Sequence, residues 1–125
     1  MAEISFTGNK KLKSINNEWC GKFPYLYLSF FTPDGKVAGD WEVTHASIRG
    51  AKGAKELSTT ASMNVGTFEK RYEDTYGARV EIKYIKNGRK YSKLGDHDKL
   101  SLAKMNAWAK DNGGSEIKEA KPQWF

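Results

Sequence analysis

Residues 65–92, VGTFEKRYEDTYGARVEIKYIKNGRKYS, decide the fold, because they read in turn as a helix, a break, a strand, a turn and a second strand. In the first part, apolar side chains recur at spacings of three, four and four residues, which places them on one face of a helix. A glycine directly after the last of them predicts the end of that helix. The apolar residues are Val65, Phe68, Tyr72 and Tyr76, and the glycine is Gly77.

The second part of this stretch predicts a β-hairpin, because Asn87-Gly88 lies between two runs of alternating polarity. Both positions of an Asn-Gly turn tolerate positive φ, and a two-residue turn fixes which residues face each other. Alternation along the strands directs the two tyrosines to the core and leaves the lysines and arginines at the surface. The expected cross-strand pairs are Lys86–Arg89, Ile85–Lys90 and Tyr84–Tyr91.

A weak internal repeat runs through the chain, since residues 3–35 align with residues 56–88 at an offset of 53 without a gap. Few positions are identical, but the order of residue types recurs: a helical face, a helix-breaking residue, an extended run and a turn dipeptide. Past the turns the offset grows to about 57. Chance similarity between two small α+β segments is the alternative. In the first copy the matching residues are Leu12, Ile15, Trp19 and Phe23, then Pro24, then the turn Asp34-Gly35.

We therefore expect an α+β fold in which two strand-helix-hairpin-helix units (βαββα twice) form one pseudo-two-fold domain with an antiparallel sheet. One unit of roughly 55 residues buries too little apolar surface to be stable alone, so the two should share a core. The predicted boundaries are a single domain over 1–125, repeat 1 over 3–49, repeat 2 over 56–110, and a C-terminal strand or tail over 115–125.

Composition narrows the class of protein only in part. The chain has 21 basic and 15 acidic residues, a net charge of +6, and this basic balance favours a nucleic-acid partner weakly. Its one cysteine, Cys20, excludes an internal disulfide and is compatible with a reducing compartment. The N-terminus lacks the apolar run of a secretion signal, and no stretch approaches the roughly 20 apolar residues of a membrane span. These features predict a soluble cytoplasmic protein with no membrane partner.

Candidate catalytic groups are few. Asp96-His97-Asp98 could hold a metal or act as a general base, but neighbouring residues of an extended segment point apart. Asp98 also precedes an apolar run at the position of a helix N-cap, so a capping loop is favoured over catalysis. His45 is expected in a short helix, at the surface or partly buried, and Cys20 is expected to be structural. No cofactor is predicted, because nucleotide-binding and metal-binding motifs are lacking.

A binding module, rather than an enzyme, is the first functional hypothesis. Cations on the hairpin would grip the phosphates of nucleic acid or a nucleoprotein, which gives affinity without much sequence choice. Three lysines at the start of the first helix, where backbone amides are free, are secondary candidates. The hairpin residues are Lys83, Lys86, Arg89, Lys90 and Lys93, and the helix residues are Lys10, Lys11 and Lys13.

The second hypothesis is a protein-binding adaptor or inhibitor. Residues 25–31 are apolar on both faces, so this strand lies centrally in a sheet or is covered on its second face. The cover is the C-terminal tail with Trp124, the helices of repeat 2, or another protein, and a protein would dock on Leu26, Leu28 and Phe30. A small metal-dependent hydrolase or nuclease that uses residues 96–98 is the third hypothesis.

Overall fold

The computed structural model describes residues 4–49, 57–93 and 95–118. Within these ranges the chain has an α+β fold with a two-stranded and a three-stranded antiparallel sheet. The α-helices are α1 (Leu12–Lys22), α2 (Val65–Tyr76) and α3 (Leu102–Asp111). The strands are β1 (Ile4–Ser5), β2 (Tyr27–Phe30), β3 (Ser58–Thr59), β4 (Val80–Lys86) and β5 (Arg89–Ser92). Two 3-10 helices span His45–Ile48 and Gly95–Lys99.

Helices α1 and α2 form where the apolar spacing predicts them, and every side chain of the two predicted inner faces is buried. Helix α1 ends just before Pro24, which cannot continue a helix. Helix α2 ends at Gly77, whose φ of 69° is the left-handed conformation that a residue without a Cβ adopts readily. The two inner faces meet in one core, where the ring of Trp19 lies 5.1 Å from that of Phe68.

The three-stranded sheet has the order β2-β4-β5, so β2 lies at an edge rather than at the centre. Both faces of β2 are nevertheless buried. Its open edge is closed by Asn16 of α1, whose amide forms two hydrogen bonds of 2.9 Å with the backbone of Leu28. Opposite Leu28 lies Ile82 of β4, and the β4–β5 register is the one that the Asn-Gly turn predicts.

The strand expected after the first turn does not form in the described residues, which is a correction to the predicted repeat. Beyond that turn the described chain forms only two isolated bridges, Phe31 with Val37 and Thr44 with Lys11. The segment then crosses the start of α1, where the Val43 carbonyl accepts a hydrogen bond of 3.0 Å from the Leu12 N–H. Because the first N–H groups of a helix have no partner within it, this crossing satisfies one of the donors at the start of α1.

The start of α3 differs from the prediction. Ser101 is the N-cap, and its Oγ accepts a hydrogen bond of 3.1 Å from the Lys104 N–H. The prediction that Asp98 is the cap is wrong, because Asp98 lies inside the 3-10 helix Gly95–Lys99 and three residues separate it from Leu102. Its carboxylate instead lies 2.5 Å from the Lys93 ammonium.

His45 is fully buried, which corrects the expectation of a surface or partly buried residue. The Arg49 Nε donates a hydrogen bond of 2.9 Å to its Nδ1, so the ring proton lies on Nε2. The Nε2–H then donates to the hydroxyl of Tyr72 on α2 at 2.7 Å. Burial, and secondarily the Arg49 charge, lowers the pKa of His45 to about 3, so the imidazole is neutral.

Residues 115–118 form no strand, although two of their N–H groups contact the sheet and the end of α1. Ser115 donates to the Ile85 carbonyl at 2.7 Å, and Ile117 donates to that of Pro24 at 2.6 Å. Residues 119–125, whose apolar side chains were one predicted cover for β2, lie outside the described residues, as do residues 50–56 between the repeats. Among the described helices, none has the length and apolarity required to cross a bilayer.

Candidate nucleic-acid interface

The β4–β5 hairpin ends in a two-residue turn, with Asn87 at φ 53° and Gly88 at φ 76°. Both angles are positive, which is the geometry of the turn that the Asn-Gly pair predicts. Lys86 and Arg89 flank the turn and face each other directly across the two strands. Since directly opposed residues have Cβ atoms roughly 5 Å apart, the turn brings two cations together at the tip.

The hairpin distributes its five predicted cations over two faces, because successive residues of a strand point to opposite sides. Lys86 and Arg89 lie on the face that carries the tyrosines, whereas Lys83 and Lys90 lie on the other. Burial, with a further contribution from the Lys90 charge, lowers the pKa of Lys83. Lys93 follows the end of β5 and belongs to neither pair. The structure therefore brings the cations together in two pairs rather than in one cluster of five.

Two of these lysines already have carboxylate partners. The side chain of Lys83 is only 12% exposed, and its ammonium lies 4.0 Å from Glu81. Lys93 lies between Glu69 at 3.2 Å and Asp98 at 2.5 Å. Burial acts to lower the pKa of Lys93, but the hydrogen bonds and charges of the two carboxylates together raise it. Both lysines are thus neutralised locally.

The lysines at the start of α1 also face carboxylates and lie on an element separate from the hairpin. Lys10 is 3.0 Å from Glu18, while Lys11 and Lys13 share Glu42 at 3.1 and 3.8 Å. Exposed ion pairs of this kind contribute about 0–1 kcal/mol to stability. They nevertheless reduce the positive potential that these lysines present to a phosphate.

Lys86 and Arg89 differ from these lysines in their lack of a carboxylate neighbour among the described residues. Among the described residues, no carboxylate oxygen lies within 4.0 Å of either side chain. Arg89 is exposed and Lys86 is partly exposed. The Lys86 stem runs beside Gly113, where an added Cβ would approach Cε to 3.3 Å. The loop after α3 therefore lies beside this stem, while the ammonium has no carboxylate partner among the described residues.

An aromatic stack lies on the same face as the Lys86–Arg89 pair. The rings of Tyr84 and Tyr91 are 5.5 Å apart at an interplanar angle of 17°, and the edge of Trp108 on α3 meets Tyr84 at 5.4 Å and 82°. Tyr84 is 7% exposed, whereas Tyr91 is 40% exposed. The prediction that both tyrosines are core is therefore wrong for Tyr91, because all four residues of the edge strand β5 are exposed.

The predicted protein-docking residues occupy the interior. Leu26, Leu28 and Phe30 are each 0% exposed. His45 is part of the cover over these side chains, because its ring lies 6.1 Å from that of Phe30. The apolar pattern left open cover by the C-terminal tail, by the helices of repeat 2 or by another protein, and in the structure these side chains are buried within the chain. These side chains are not offered to a partner on the described surface.

The groups considered for catalysis are held by different neighbours. The ring of His97 lies 4.1 Å from that of Trp108, and burial lowers its pKa, whereas Asp98 contacts Lys93. Cys20 is buried, and this burial raises the pKa of its thiol to about 12, as expected for a structural cysteine. In the described ranges, no three His, Cys, Asp or Glu side chains are grouped so that they could hold a metal ion.

Sequence reasoning missed a polar cleft of about 400 Å³ between α2, β4 and the side chains of Ser92, Lys93 and Asp98. At its base, Glu69 accepts a hydrogen bond of 3.1 Å from the Ile82 N–H and pairs with Lys93. Burial raises the pKa of Glu69. One signal in the sequence could have pointed to Glu69. It lies 53 residues after Asn16, which is the offset of the predicted repeat, and Asn16 closes the edge of β2. Lys93 pairs with both Glu69 and Asp98, which indicates a structural role for these three side chains.

Comparisons of the whole chain with protein-family models, with curated proteins and with solved structures find no match.

Proposed function

We propose that the protein is a non-enzymatic module that binds nucleic acid, free or within a nucleoprotein, through the tip of the β4–β5 hairpin. Lys86 and Arg89 are the residues that contact phosphates. The observation that carries this proposal is that no carboxylate of the described residues lies within 4.0 Å of this cross-strand pair. Five of the other six candidate cations, by contrast, have a carboxylate at that distance or closer.

Phosphate binding suits this pair on physical grounds. A cation without a carboxylate partner binds a phosphate without first breaking an ion pair. The planar guanidinium of Arg89 can donate two parallel hydrogen bonds to one phosphate, while Lys86 acts as a point charge. Such contacts release counterions, which gives affinity that depends on salt and little on base sequence. The net charge of +6 adds long-range attraction to a polyanion.

The other two functions that the sequence suggested have less support. Docking of a protein through Leu28 and Phe30 would require fully buried side chains to become exposed. Hydrolysis would require His97 and Asp98 to act together, but each is held by a different neighbour. We therefore propose neither.

We also infer that the chain arose by internal duplication, and hydrogen bonds at the two helix starts support this. The Leu12 N–H donates to the Val43 carbonyl at 3.0 Å, and the Val65 N–H donates to the Leu100 carbonyl at 2.9 Å. The donors are 53 residues apart and the acceptors are 57 apart. These are the offsets at which the sequence aligns with itself before and after the turns.

The pairing of β2 with β4 gives further support. Leu28 and Ile82 face each other, and the N–H of each is bound by a helix side chain, Asn16 for Leu28 and Glu69 for Ile82. The helix residues are 53 apart but the strand residues are 54 apart. Helix α2 has 12 residues and α1 has 11, so repeat 2 has one extra residue before its strand. The offset between corresponding residues of the two repeats therefore increases from 53 in the helices to 54 in the sheet.

The proposed repeats differ most at their turns, where the proposed function lies. The first turn carries Asp34 and Lys36, whose charged groups are 4.0 Å apart, and only isolated bridges follow it in the described part of repeat 1. The second turn carries Lys86 and Arg89 and is followed by the complete strand β5. The basic tip is thus a feature that repeat 2 has and repeat 1 lacks.

Charge reversal at the tip tests the function. We compare wild type with the double variant K86E/R89E by fluorescence anisotropy of a labelled oligonucleotide at low salt. The control K36E/K70E makes the same change in net charge at two exposed lysines on other elements. We expect the tip variant to bind at least about tenfold more weakly than the control, since hydrogen bonds to charged groups contribute about 1.5–3 kcal/mol each. A wild type that binds no oligonucleotide, or a tip variant that equals the control, overturns the proposal.

A further inference from the structure

The exposed ring of Tyr91 is held in a fixed orientation beside the two tip cations. One face of the ring stacks on Tyr84, which Trp108 contacts edge-on from α3. Despite this stacking, 40% of Tyr91 stays exposed. Because the ring is already ordered by its neighbours, little side-chain entropy is lost when a second planar group lies on it.

Tyr91 and Arg89 are close enough to act on neighbouring parts of one ligand. They are two residues apart on β5, so their side chains leave the same face of the sheet about 7 Å apart along the strand. Lys86, opposite Arg89, completes a surface with an aromatic ring at one end and two cations at the other. Bases in single strands bind aromatic rings by stacking, and phosphates bind the cations beside them.

We infer that the preferred ligand is single-stranded nucleic acid, with one unpaired base stacked on the exposed face of Tyr91 while Lys86 and Arg89 hold the adjoining phosphates. This rests on the proposed function and specifies its ligand. In a duplex the faces of internal bases are covered by their neighbours, so a duplex can use only the cations. Base–aromatic stacking contributes about 1–3 kcal/mol per base, which gives a single strand the advantage.

The experiment combines two Tyr91 variants with two forms of the ligand. The probes are a labelled pyrimidine-rich strand of about 20 nucleotides, longer than the ~4–16 nucleotides that one OB-fold binding site covers, and the same strand annealed to its complement. DNA and RNA versions are both tested. Tyr91→Phe keeps the ring, whereas Tyr91→Thr removes it and keeps a residue suited to a strand. Circular dichroism melts compare the folding of all three proteins.

We expect Tyr91→Thr to weaken binding of the single strand by about 5- to 150-fold, the range that corresponds to one stacked base. Tyr91→Phe should bind within about twofold of wild type, and duplex binding should be the same in all three proteins. If wild type binds duplex as tightly as single strand and Tyr91→Thr changes neither, the inference fails while the proposed function stands. If wild type binds neither form, both fail.

Discussion

Asn16 on α1 forms two hydrogen bonds with the backbone of Leu28 on β2, donating from Nδ2 to the carbonyl at 2.9 Å and accepting from the N–H at 2.9 Å. Its side chain therefore replaces a neighbouring strand at the open edge of the sheet. An edge strand with buried faces would otherwise leave polar backbone groups without partners, which is costly away from water. This contact explains how β2 can lie at an edge and still be buried.

Asn16→Ala should reduce the free energy of unfolding by about 2–5 kcal/mol, because it leaves two buried backbone groups of Leu28 unpaired. Urea denaturation measures this change. The control is Asn17→Ala, the exposed neighbour on the same helix, which should change stability by less than about 0.5 kcal/mol. A loss below about 1 kcal/mol for Asn16→Ala would show that water or another group can replace the amide.

Trp19→Ala should lower the free energy of unfolding by about 3–5 kcal/mol, because the indole is fully buried between the two long helices. Such a loss is a large part of the stability of a small domain. Trp19→Phe should cost less than half as much, since an aromatic ring is kept and the indole N–H has no hydrogen-bond partner in the described part of the chain. Equal costs for the two variants in urea titrations would contradict the packing described.

Acid should destabilise the protein through His45. Burial and Arg49 lower its pKa to about 3 from the ordinary 6.5, so between these values the unfolded chain binds a proton that the folded chain excludes. The stability contributed by the neutral ring is therefore complete above pH 6.5 and falls as the pH falls towards 3, by up to about 1.4 kcal/mol per pH unit. His45→Gln removes the titrating group, and comparing urea unfolding at several pH values with wild type isolates its effect. The same pH dependence in both proteins would contradict this account.

Local pattern was enough to predict the helices and the hairpin. One helical face is predicted by the spacing of its apolar residues, whatever packs against it, as for Leu12, Ile15, Trp19 and Phe23. The Asn87-Gly88 turn likewise fixes the register of the residues that flank it. Both depend on residues close in sequence.

Features that depend on distant neighbours were not predicted correctly. Alternation places Tyr91 on the same face as Tyr84, but whether that face is covered depends on what packs over an edge strand. The burial of His45 depends on Tyr72 of α2, far away in sequence. In each case a tertiary contact overrides the local pattern.

The most direct test of the central claim, binding of nucleic acid at the hairpin tip, is a titration of the ¹⁵N-labelled protein with a single-stranded oligonucleotide followed by two-dimensional NMR. We predict that amide shifts change most over residues 84–91, together with the indole signal of Trp108, and that the changes diminish as salt is added. Residues 10–13, whose lysines face Glu18 and Glu42, should change little. Largest changes at residues 10–13, or no change at the tip with excess oligonucleotide, would contradict the account.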